Sequence, residues 1–209
     1  MIPDNIVFGW KTEAREGIFY GEVRRISDEN QLISLLKLRL DAYYFSQIEP
    51  LIEAKSAFPL LVMTCIGMET LGKIFTDEPS ENGDSFVVIA KKMDQIFGRN
   101  PGKTFRESFQ ANWPTKDWAK IDCFGRLLFK YLRNTMVHGY QGKAVFLSYE
   151  DTESYLIFNE SGYMVINPKW LWVKLTTASE QLFDEAIKGQ ANSPIRKNCL
   201  AYIRQLLDG

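Results

Sequence analysis

The chain has one histidine, His138, and it lies in the segment Arg133-Asn134-Thr135-Met136-Val137-His138-Gly139-Tyr140. Imidazole titrates near neutrality, so it can take or give a proton in water. A guanidinium presents a planar fork to phosphate oxygens and stabilises charge that develops on them. Residues four apart on an α-helix differ by about 40°, which puts Asn134 and His138 on one face. Asn134 can then fix the imidazole or hydrogen-bond a phosphate. Arg133 stands about 140° from His138 by the same geometry, and reaches it with its long side chain or through fraying of the last turn. A plainer meaning stays open: a histidine satisfied at a helix C-terminus, where the dipole favours its cation, beside an ordinary salt-bridging arginine.

Other arrangements carry less. Gly98-Arg-Asn-Pro-Gly-Lys-Thr104 resembles a phosphate-binding loop, but three residues separate its glycines where four are needed. It also follows an expected helix, so its amides cannot converge on a phosphate. There is no Cys-x-x-Cys, no His-Glu-x-x-His and no Gly-x-Ser-x-Gly, and a triad would have to share the single histidine. A carboxylate-only magnesium site is left open, though no acidic cluster stands out at helical spacing. No metal and no cofactor is expected. Cys65, Cys123 and Cys199 are widely spaced in apolar periodic segments and read as reduced core thiols.

The elements that must position these residues are mostly helices. Ile6 to Ile26 holds two glycine-broken apolar runs, which either pair as strands or simply cover the core, so residues 1–26 stand as an N-terminal extension. Ser27 is expected to cap a helix carrying Leu32, Leu35, Leu36, Ala42, Tyr43 and Phe45. A second runs from Pro59 through Met63, Ile66, Leu71 and Ile74 to Phe75, with Glu69 inside its apolar stretch. Thr76 to Asp84 is a loop, and Phe86 to Phe97 a third helix ended by Gly98. A short helix, Thr104 to Gln110, precedes the longest one, which starts at Pro114 and carries Trp118, Ile121, Phe124, Leu127, Leu128, Tyr131 and Leu132 to a stop at Gly139. Its apolar stripe turns polar at Asn134 and His138. The period then changes: Ala144 to Tyr149, Tyr155 to Phe158 and Tyr163 to Ile166 read as strands, with a Ser161-Gly162 turn. Helices from Pro168 to Ile187 and from Pro194 to Leu207 close the chain. The expected fold is mainly α, one helical bundle over 27–209 with a small antiparallel β insert at about 144–166, between the main helix and the C-terminal helices.

Hydrophobic residues make up 45% of 209, enough for a sizeable core and too many for a disordered chain. The formal net charge is −1, so no global field attracts nucleic acid or acidic membranes. Any nucleic-acid surface would be local, with Lys91, Lys92, Arg99, Lys103 and Arg106 as its candidates. Those residues equally suit a solvated helix face. Met1-Ile2-Pro3-Asp4 lacks the build of a signal peptide, and the apolar run Ala57 to Met63 is too short to span a bilayer. A cytoplasmic protein with no membrane association is expected.

The segment around His138 resembles the signature of the HEPN superfamily, helical bundles with Arg-Asn-x-x-x-His near the end of a core helix. It matches at Arg133, Asn134 and His138, and also fits the Arg-x₄-His-x-Tyr form of HEPN toxins paired with nucleotidyltransferase antitoxins, with Tyr140 as the tyrosine. The apolar helices upstream, including Met68-Glu69-Thr70-Leu71-Gly72, and the strands then helix downstream are similar too. The likeness covers roughly Ser27 to Ile187. It implies a metal-independent endoribonuclease of a prokaryotic toxin or antiphage defence system, with Arg133, Asn134 and His138 catalytic. A ribose 2′-hydroxyl would attack the adjacent phosphate, which makes RNA the obligatory substrate. It further implies that Tyr140 can be nucleotidylated by a nucleotidyltransferase antitoxin. Because attack and departure need a base and an acid, and the chain offers one imidazole, a C2 homodimer with both copies of the site lining one cleft is expected. The rival from another class is a non-catalytic HEPN bundle that binds nucleotides or proteins. A third reading is an unrelated helical protein with a fortuitous motif.

Overall fold

A computed structural model of the chain describes residues 2–11, 16–77, 83–114, 118–133, 145–149, 156–158 and 162–209, with backbone only at 11 and 156–158. These residues are mainly helical, as the periodicity predicts. Two strands, β1 (Val7–Lys11) and β2 (Glu16–Phe19), open the chain. The helices that follow are α1 (Tyr20–Val23), α2 (Glu29–Tyr43), α3 (Glu49–Glu53), α4 (Ala57–Phe75) and α5 (Asp84–Met93). Then come α6 (Lys103–Asn112), α7 (Phe124–Leu128), strands β3 (Val145–Leu147), β4 (Leu156–Phe158) and β5 (Met164–Ile166), and helices α8 (Pro168–Lys188) and α9 (Pro194–Asp208). Two compact units form: Met1–Pro50, Lys73–Asp77 and Ser179–Gly209 in one, Leu51–Gly72 and Glu78–Ala178 in the other. No division falls at residue 26.

In the first unit β1 and β2 pair antiparallel, with Trp10 opposite Gly17. Phe8, Ile18, Tyr20 and Val23 are buried, and Leu32, Leu35 and Leu38 of α2 and Leu206 and Leu207 of α9 pack on them. Val7–Lys11 and Glu16–Phe19 therefore pair as strands, and Phe8, Ile18, Tyr20 and Val23 complete a core, because the apolar side of so small a ribbon is stable only when covered. Asp28, one residue later than expected, caps α2 by accepting a hydrogen bond from the Gln31 amide at 2.9 Å. Arg196 is buried on α9, where it donates to Glu29, Asn30 and the Ala186 carbonyl.

In the second unit α4 buries Leu60, Leu61, Cys65, Met68 and Leu71 at helical spacing. The whole helix is long and apolar enough to cross a membrane, yet 56% of its most apolar window is buried inside the fold. That is the character of a core helix. The insert departs from expectation. Its order is β3-β5-β4, with β4 and β5 antiparallel but β3 and β5 parallel, so the sheet is mixed rather than antiparallel. The last strand takes the centre because Met164 and Ile166 are both buried, whereas Phe146 of β3 is 53% exposed and suits an edge. Gly162, in the expected turn, has φ +77°.

The largest correction concerns the helix expected from Pro114 to Gly139. A 3₁₀ turn covers Trp118–Lys120, Cys123 is extended, α7 begins at Phe124, and Phe129–Arg133 winds as a π-helix. Tertiary hydrogen bonds replace helical ones at the break. The Phe124 amide donates to the Arg99 carbonyl at 3.0 Å, and Arg106 donates to the Ile121 carbonyl at 3.3 Å. The expected stripe of Phe124, Leu127 and Tyr131 is nevertheless buried. At 21 residues, α8 is longer than either piece.

Candidate functional site

Arg133 ends the π-helical segment, and the elements that hold it come from far away in the chain. Phe129 opens that segment and packs against Phe86 of α5, ring centroids 5.4 Å apart. It also lies on the bare α-carbon of Gly83, where a Cβ would come within 2.4 Å of the ring. Gly83 has φ +74°, in the left-handed region, so glycine is required there both by space and by backbone. One residue on, Asp84 pairs with Arg126 of α7. The start of α5 thus grips the α7–π segment at two points.

The guanidinium of Arg133 sits over the Phe129 ring, 5.6 Å from its centroid. Its Nε donates to Glu69 Oε1, and its Nη2 to Glu69 Oε2 at 3.0 Å. Both side chains are about a quarter exposed, 23% for Arg133 and 25% for Glu69. The pair is bidentate and partly desolvated, the geometry in which an ion pair is strong and directional. One turn earlier on α4, the Cys65 thiol is wholly buried, and its pKa is pushed up to about 12. Burial is the main cause; Glu69 adds to the rise and Arg133 opposes it. The thiol is inert, a packing group beneath the ion pair.

The π winding changes the expected geometry. Hydrogen bonds closing at i→i+5 enclose one more residue than those of the α-helix and widen each turn, so the 100° step behind the predicted faces does not hold across Phe129–Arg133. Asn134, His138, Tyr140 and the expected stop at Gly139 lie outside the described residues. Of the predicted site, Arg133 is the residue placed.

Glu69 is the partner that the sequence could not assign. A carboxylate inside an apolar helical run signals a charge that must be matched, but nothing local says that the match lies 64 residues away. The candidate basic surface is partly taken apart. Lys91, Lys92, Arg99 and Lys103 are exposed, whereas Arg106 turns inward to Asn100 and the Ile121 carbonyl. Gly98 ends a 3₁₀ turn, Gln95–Gly98, and Gly102 precedes α6, so the glycine-rich stretch lies between helices and not after a strand. Comparison of the chain with family models, curated proteins and solved structures returns no match.

Proposed function

We propose that this chain is a metal-independent endoribonuclease of the HEPN type, serving a prokaryotic toxin or antiphage defence system. The observation that carries the reading is the fixing of Arg133, the first residue of the Arg-Asn-x-x-x-His motif, by Glu69 on one side and Phe129 on the other. An arginine held in one orientation at a partly open position can stabilise a phosphorane without first being ordered. His138 then acts as the base toward the 2′-hydroxyl or the acid toward the departing 5′-oxygen, and Asn134 orients the imidazole or the phosphate.

The test is cleavage of single-stranded RNA in excess EDTA. The expected products carry 2′,3′-cyclic phosphate ends. His138→Ala should abolish cutting with the melting temperature unchanged. Arg133→Lys keeps the charge but loses the fork, and should lose most of the activity. Equal cleavage by wild type and His138→Ala overturns the proposal.

The same ion pair gives a second reading some footing. A guanidinium met by a carboxylate has its charge offset, and the chain's net charge is −1. Both features suit a bundle that binds a nucleotide or a protein and performs no chemistry. Binding of an RNA oligonucleotide without cleavage under any divalent or chelated condition would favour it.

A further inference from the structure

We propose that Arg39 and Tyr43 form a nucleotide-binding site in the first unit, where the guanidinium takes a phosphate group and the tyrosine ring stacks on the base; this goes beyond the ribonuclease reading and does not rest on it. Two guanidiniums flank the buried Tyr20 ring, Arg24 at 5.7 Å and Arg39 at 5.9 Å from its centroid. Arg24 has its charge matched and its donors filled. It pairs with Asp4 and donates to the Ile2 carbonyl at 2.6 Å and the Leu207 carbonyl at 2.9 Å. Arg39 is treated differently. Its Nη1 donates to the Phe8 carbonyl, and among the described residues no carboxylate pairs with it. Its Nε and Nη2 meet no acceptor among those residues, yet neither is sealed from water. One in-plane edge of a half-buried cation thus opens to solvent.

The surrounding rings hold this cation and select its ligand. Phe8 lies 5.0 Å and Tyr43 5.2 Å from the guanidinium carbon of Arg39. Phe8 and Tyr20 meet edge to face at 5.2 Å and are both buried, so they are fixed walls. Cation–π attraction acts through the ring faces and uses no in-plane donor. The fork of Nε and Nη2 therefore keeps its capacity to hold an oxyanion bidentately. Tyr43 is the wall a ligand can reach: it follows Arg39 by one turn of α2 and is 48% exposed. An oxyanion on the fork has that half-open ring beside it, and an aromatic base stacks on such a ring whatever its sequence. A nucleotide, free or within a single strand, carries both groups. An arginine that only tied α2 to β1 would need the Phe8 bond and neither the open fork nor the exposed ring.

The experiment follows the Arg39 Nε–H resonance of the full, isotope-labelled chain, assigned by its loss in Arg39→Lys, during titration with AMP, inorganic phosphate and a short single-stranded 2′-deoxy oligonucleotide. AMP should shift it with a Kd of about 1 mM or tighter, the combined worth of one charged fork and one stacked base. Tyr43→Leu, at a half-exposed position that spares the fold, should weaken AMP about 10-fold and leave inorganic phosphate unchanged. Arg39→Lys keeps the charge but loses the fork, and should weaken AMP about 10-fold when read on the Tyr43 ring resonances. Binding of the oligonucleotide much more tightly than AMP, and steeply weaker in salt, identifies a strand as the source; equal affinity identifies the free nucleotide. Neither AMP nor the deoxy strand can be cut by 2′-hydroxyl attack, so the outcome is independent of whether the protein cleaves RNA. No shift with AMP well above the expected Kd overturns the proposal. So does unchanged AMP affinity in Arg39→Lys, or inorganic phosphate binding as tightly as AMP with no effect of Tyr43→Leu.

Discussion

Arg196 and Arg133 solve the same problem, a long cation taken partly out of water, in different ways. Arg196 spends its donors on Glu29, Asn30 and the Ala186 carbonyl, so its work is to tie α9 to α2 and α8 within the first unit. Arg196→Ala should cost about 2–3 kcal/mol, the worth of charged hydrogen bonds lost from a buried position, measured as a lower denaturant midpoint with an unchanged slope. Arg133, in the second unit, meets the Glu69 carboxylate and the Phe129 ring. The cysteines make a simpler case. Burial pushes the thiols of Cys65 and Cys199 up to about 12, so almost no thiolate forms at pH 8. A disulfide reagent should label neither in the native protein, and both once denaturant is added. Fast native labelling at either position would contradict the described core.

At the scale of elements, the junction of α5 with the α7–π segment decides how Arg133 is delivered. Gly83→Ala meets both a left-handed backbone and the Phe129 ring, where a Cβ would lie 2.4 Å away. We expect a loss of about 1–3 kcal/mol, the usual range for such strain, and a fall in RNA cleavage larger than the stability loss explains. A second junction joins α8 to the end of α5. Lys174 pairs with Asp94 at 2.9 Å, and the Asp94 carboxylate also accepts from the Ile96 amide. Burial alone would raise the Asp94 pKa, but Lys174, the Ile96 amide and Arg99 together hold it below the usual carboxylate value. A depressed carboxylate stabilises the fold above its unfolded value of 3.8, and that stability is lost as pH falls through the native value. Lys174→Met should therefore lower stability at neutral pH and flatten the decline below about pH 4. A parallel shift of the whole acid limb would mean that the pair is not the cause.

At the scale of the whole molecule, the proposed ribonuclease has one imidazole for two proton transfers, and the proposed homodimer would supply a second. Ile66 is 42% exposed on α4, three residues before Glu69, with Val62 and Met63 only half-buried beside it. That outward apolar stripe leads directly to the ion pair, and a two-fold contact along it would bring both Arg133 side chains to one seam. We expect a dimer by light scattering, and Ile66→Glu should yield monomers that keep their helicity and lose cleavage. Mixing His138→Ala chains with wild-type chains should lower the rate faster than the wild-type fraction falls. A rate strictly proportional to that fraction would mean independent sites.

The sequence by itself marked where most of the helices lie, from apolar residues recurring near a 3.6-residue period, as in Met63, Ile66, Leu71 and Ile74 of α4 and Phe124 and Leu127 of α7. Ile66 is nevertheless 42% exposed, and the break before Phe124 was not legible in the sequence. It determined the strand segments of the insert and the turn at Gly162, and it singled out Arg133 and the odd carboxylate of Glu69. The tertiary structure decided the rest. The break before Phe124 exists because Arg99 and Arg106 supply hydrogen bonds from another element. The π winding after it accompanies a ring lodged on Gly83. The parallel pairing of β3 with β5 follows from which strand can be buried on one face, and periodicity is silent on partners. The meeting of Glu69 with Arg133 has the same origin: each residue announces locally that its charge needs a match, and only the packed fold says which match it receives.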